Sequence, residues 1–132
     1  MDKFLEYVEL IFSGIPGVDF YYSITGKHTA WERKNAPEFC KRPKKDVLIA
    51  NLEHLLYFFI PFLGVKLIGE IIWIIGGLAI LVITPLEFVY FRKKVKLFKN
   101  WDWKKVTIIC LWNIMNAGIY WILGGILGGL YV

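Results

Sequence analysis

The chain has 132 residues, of which 57% are hydrophobic and 17% aromatic, against roughly 45–50% apolar in soluble domains. Its mean hydropathy is +0.51 and its formal net charge +5. The aromatic content excludes a disordered chain, two cysteines exclude a disulfide scaffold, and so much apolar surface on so small a protein points to a bilayer as solvent.

The first element is amphipathic. Phe4, Val8, Ile11 and Phe12 share a helical face with Leu5 beside them, while Asp2, Glu6 and Glu9 lean to the other side. The breaker run Gly14-Ile15-Pro16-Gly17 ends it. Its polar face lacks the Lys and Arg of a lipid-surface helix, so packing against protein is expected. A fourth span over residues 4–24 would have to bury Glu6, Glu9 and Asp19, each costly at the membrane centre, together with Pro16. Three spans are therefore preferred, with an interfacial or re-entrant path for residues 4–24 as the alternatives. Residues 18–24 read as a short strand or an interfacial anchor, and residues 25–43 as an irregular cytoplasmic segment. Acids among its apolar residues distinguish the opening MDKFLEYVELIF from a secretory signal.

Three apolar runs then follow, over residues 47–63, 67–91 and 106–132. Helix is the conformation that satisfies their backbone in lipid. Asp46 can cap the first, and Pro61, Gly64 and Lys66 place a tight turn between the first two. The expected fold is an all-α integral membrane protein. It has three transmembrane helices, a tight hairpin plus a third helix, after an N-terminal amphipathic helix. Residues 1–45 form a cytoplasmic or interfacial segment and residues 46–132 the transmembrane domain.

Cations set the expected orientation. Seven lie between Lys27 and Lys45 and seven between Arg92 and Lys105, against one near the hairpin turn and none at the C-terminus. Cytoplasmic loops carry the excess of Lys and Arg, so both clusters are inside and Val132 is outside, in a multi-pass protein of the cell membrane. Arg92, Lys93, Lys94, Trp101 and Trp103 read as lipid-interface residues, cations at headgroups and indoles at the boundary. Nucleic acid is not expected as a partner.

Polar groups at membrane depth are the site candidates. Glu53 and His54 lie seven and eight residues in from Asp46, about 11 Å by helical rise. Thr84, Glu87, Asn113 and Asn116 fall in the same layer from the other two spans. Glu53, His54, Glu87 and Asn113 can hold a proton or a ligand, or hydrogen-bond across helices as packing glue. Glu53 and His54 lie about 100° apart and need not face one neighbour. No metal signature or nucleophile motif is present, and Cys40 and Cys110 sit in different environments. No catalytic or metal residue and no cofactor is expected, with a haem on His54 as the one alternative.

The third run carries Gly118, Gly124, Gly125, Gly128 and Gly129, a face small enough for a neighbouring backbone, in the same chain or another. The chain also lacks glutamine, a hint of a thermophilic source. The functional expectation is a small accessory or structural subunit of a larger membrane complex, or a homo-oligomer, packed through this glycine face. The alternative is a small transporter, proton-relay or cofactor-holding subunit using Glu53, His54 and Glu87.

Overall fold

The computed structural model describes residues 3–41, 44–94 and 103–132, with the side chains of residues 38, 39 and 90–94 outside that description. Among the described residues every element is a helix: α1 (Lys3–Phe12), α2 (Val18–Thr25), α3 (Ala30–Asn35), α4 (Pro37–Cys40), α5 (Lys44–Ile68), α6 (Ile71–Lys94) and α7 (Trp103–Tyr131). Three of these, α5, α6 and α7, are long and apolar enough to cross a membrane.

α5 and α7 run parallel, as a first and third span must. His54 stacks on Tyr120, Phe58 meets Gly124 and Phe62 meets Gly128, so both helices advance four residues together. α6 returns antiparallel between them. Its Trp73 packs on Gly125, its Gly76 on Trp121, and the Ile72 carbonyl accepts a 3.1 Å hydrogen bond from Trp121 Nε1. Ile72, Ile80, Ala117 and Trp121 form the core between α6 and α7, with Tyr57 and Val65 of α5 against it.

The hairpin turn lies later than the sequence suggests. Pro61 and Gly64 stay inside α5, and the chain reverses at Gly69, where φ is +73°, a value that glycine adopts without strain. Pro61 is fully buried, its ring lying where a Cβ on Gly124 would need space, and Gly64 faces Ile72 at a distance set by its missing side chain. Both residues are chosen for helix contact rather than for a turn. A proline inside a helix gives up one ladder bond, and packing against α7 compensates.

Residues 3–40 fold largely into four short helices rather than an irregular segment, and residues 18–24 form helix rather than strand. α2 ends at Gly26 in the left-handed conformation, whose N–H bonds the Tyr22 carbonyl. Thr29 caps α3 by accepting from Glu32 N–H at 3.2 Å, and Pro37 starts α4 where its missing N–H costs nothing. α1 and α2 form a helix–break–helix hairpin along α7. Leu10 joins Trp31, Ala36, Val106 and Ile109 in a second core cluster.

α1 turns its polar side toward the chain and most of its apolar side outward, so the expected packing on protein would fall to a partner. Glu6, Leu10 and Ser13 are buried, while Phe4, Leu5, Ile11 and Phe12 are 50 to 70% exposed. The polar face finds partners within the chain: Lys34 donates to Glu6, and Ala30 N–H donates to Glu9 at 2.6 Å. Such an arrangement is unfavourable in water and natural in lipid, where an apolar exterior costs nothing and an unpaired acid is expensive.

Candidate functional site

The end of α1 leaves backbone carbonyls without partners, and α7 supplies donors to them. Trp112 Nε1 donates to the Leu10 carbonyl at 2.8 Å, and Asn116 Nδ2 donates to the Gly14 carbonyl at 2.6 Å. Gly14 is the residue that allows this approach, since a side chain there would strike Met115 and Trp112. The break that follows turns α2 so that Asp19, in its first turn, points between α5 and α7.

Four hydrogen-bond donors surround the Asp19 carboxylate. Tyr120 Oη lies at 2.8 and 2.9 Å from its two oxygens, and Asn116 Nδ2 at 3.3 Å. The N–H groups of Phe20 and Gly17 donate at 2.8 and 3.2 Å. His54 Nδ1 approaches to 3.1 Å, off the line that a hydrogen bond requires, so this contact is electrostatic. The His54 ring stacks on Tyr120 with centroids 5.5 Å apart. Donors alone surround this group, which is the setting of an ionised carboxylate. Asp19, His54, Asn116 and Tyr120 are all at most 9% exposed, and Asn116 Oδ1 has no partner inside the cluster.

The polar layer expected from sequence thus divides in two. His54 and Asn116 turn toward α2. Glu53 and Glu87 come near each other from α5 and α6, with Tyr57 beside them. The 100° step between Glu53 and His54 lets them face different neighbours of α5. Asn113 joins neither group; its amide donates to the Ile109 carbonyl of its own helix at 3.0 Å. Thr84 is buried in α6.

Asp19 and Tyr120 were not among the residues expected here. Asp19 read only as a cost against a fourth span, and Tyr120 as one aromatic among many. Their signal was the spacing of Asn116 and Tyr120, one turn apart on α7, opposite a histidine on α5.

Among the glycines, Gly124 and Gly128 lie against the backbone carbonyls of Phe58 and Phe62, and Gly125 against the Trp73 ring. These three contacts are within the chain. Gly118 and Gly129 have nothing within 4 Å of a Cβ position. Of the lipid-interface residues, Trp103 is 53% exposed at the start of α7. Trp101 and the side chains of Arg92, Lys93 and Lys94 lie outside the described residues. Comparisons with protein-family models, curated proteins and solved structures return no match.

Proposed function

We propose that the chain is a small accessory or structural subunit of a larger membrane assembly, or a homo-oligomer, with no catalysis of its own. One observation carries this reading: the buried acids of the N-terminal segment, Glu6 and Asp19, are engaged with groups of the same chain, while the outward faces are apolar. Phe4, Ile24, Leu67, Ile74, Leu78 and Leu130 are each at least 62% exposed. The Asp19 cluster fastens α2 to α5 and α7. His54 is already engaged by Tyr120 and Asp19, which leaves a haem at that position without support from the geometry.

Association falls to the outward side of α7. Gly118 and Gly129 are eleven residues apart, which returns them to one helix face to within about 20°, and a Cβ at either position meets nothing within 4 Å, although Gly125 between them is covered by Trp73. In this reading both basic segments meet anionic headgroups on the cytoplasmic side of the cell membrane, and Val132 lies outside. The test is the mass of the natively purified particle. The expected result is a particle larger than one chain that shrinks in Gly118→Leu/Gly129→Leu without loss of thermal stability. A monomeric native particle, or one indifferent to both substitutions, refutes the reading.

A second reading rests on the Glu53–Glu87 contact. Two neighbouring carboxyl groups in adjacent spans would repel one another if both were charged, so the pair is suited to hold a proton or a cation between them. Proton flux into proteoliposomes, followed with an internal pH dye, separates the two readings. Flux lost in Glu53→Gln and Glu87→Gln supports the relay; absence of flux in the unmodified protein removes it.

A further inference from the structure

At the outer edge of the N-terminal segment, α3 and α4 bring His28, Glu32 and Cys40 together. One ligating atom from each lies within 4.8 Å of the other two. His28 immediately precedes the Thr29 cap, Glu32 lies in the first turn of α3, and Cys40 closes α4. The break at Ala36–Pro37 folds the thiol back over the start of α3. Beneath the trio the scaffold is packed, with Trp31 3% and Ala36 0% exposed.

The spacing of His28 and Glu32 suits a shared ion better than a direct bond. His28 Nδ1 and Glu32 Oε2 are 3.7 Å apart, beyond a hydrogen bond. Ligands on a tetrahedral ion with bonds of about 2.0–2.3 Å stand about 3.3–3.6 Å from one another, close to that spacing. The other oxygen, Glu32 Oε1, accepts from Thr29 Oγ1 at 3.1 Å, which orients the carboxylate and leaves Oε2 toward the histidine. Arg33 Nη1 donates to the His28 carbonyl at 2.9 Å and fixes the backbone that carries the imidazole. A carboxylate and a thiolate together balance a divalent charge. Imidazole, carboxylate and thiolate are the donor types that a borderline-soft ion selects. All three residues are half-buried, so a fourth position stays open to water.

We propose that His28 Nδ1, Glu32 Oε2 and Cys40 Sγ bind one divalent cation of the zinc class, clamping α3 to α4. His28 and Glu32 are explained in part by an ion pair beside a capped helix. Cys40 comes from eight residues beyond Glu32, and its thiol arrives in the same small volume.

The experiment is a cobalt(II) titration of the full chain in detergent micelles, with thiols kept reduced. One equivalent is expected to bind in tetrahedral geometry with thiolate-to-cobalt charge-transfer absorption, and zinc is expected to displace it. Cys40→Ser should abolish that absorption, and His28→Ala and Glu32→Gln should each weaken binding on the order of tenfold or more. Cys110→Ser, on α7, should bind as the unmodified chain does. Glu32→Gln keeps an oxygen for Thr29, so its reading is independent of whether the cap survives. Absence of cobalt binding at micromolar concentrations overturns the proposal. So does charge-transfer absorption that survives Cys40→Ser or vanishes in Cys110→Ser.

Discussion

Asp19 draws its partners from two spans and from its own helix, whereas Asn113, at a comparable depth on α7, bonds only the turn before it. The two amides and acids looked alike in the sequence, and their consequences differ. Asp19→Ala strands Tyr120 Oη and removes one partner of Asn116, at a cost of about 2 kcal/mol, since membrane hydrogen bonds average ~0.6 kcal/mol each and the stranded groups add to them. Asn113→Ala should stay within about 0.5 kcal/mol. Unfolding of the micellar protein by SDS or heat measures both, and equal effects would remove Asp19 from its central place. The layer that holds His54, Asn113 and Asn116 was legible from helical rise alone. Which member faced which neighbour was not, because partner choice depends on crossing angles that no single helix encodes. Tyr120 was hidden for a related reason: an aromatic at membrane depth is ordinary, and only the acid delivered by α2 makes its hydroxyl consequential.

The element scale separates glycines that look identical in sequence. A Cβ on Gly124 would land on the Phe58 carbonyl oxygen, while a Cβ on Gly118 meets nothing within 4 Å. Gly124→Ala must therefore push α5 away from α7, a change expected to lower stability by about 1–3 kcal/mol. Gly118→Ala should be neutral or stabilise by up to about 1 kcal/mol through helix propensity. Thermal unfolding in detergent distinguishes them, and a Gly124→Ala protein as stable as the unmodified chain would contradict the α5–α7 packing. The amphipathicity of α1 was plain from its periodicity, but the side it turns inward was not. Periodicity reports that a helix has two faces, and the solvent decides which one is hidden. A spin label on Phe12→Cys should be relaxed more by oxygen than by an aqueous nickel chelate, and one on Arg33→Cys the reverse. Strong nickel relaxation at position 12 would mean that water bathes that face.

For the molecule as a whole, the number and type of spans were readable because run length and apolarity are properties of the chain itself. The hairpin position was misjudged by a few residues, since proline and glycine serve helix contact in lipid as readily as they serve turns in water. An odd number of spans puts the two ends of the transmembrane domain on opposite sides. With the cation clusters at residues 27–45 and 92–105, the C-terminus should face away from the cytoplasm. A C-terminal reporter active only in the periplasm or lumen should therefore be active, and a cytoplasm-dependent fluorescent fusion at the same end dark. The opposite pattern would overturn the orientation.

The contacts that hold the hairpin also impose an order of events. Leu10, Gly14 and Asp19 are made first by the ribosome, yet their partners Trp112, Asn116 and Tyr120 are made almost last, across separations of 97 to 102 residues. Throughout synthesis of the first two spans the acid of α2 has its neighbouring N–H groups and the histidine of α5, but neither of its partners on α7. Nascent chains arrested before α7 should therefore leave residues 3–25 open to protease, and protection should arrive abruptly once the final span is inserted.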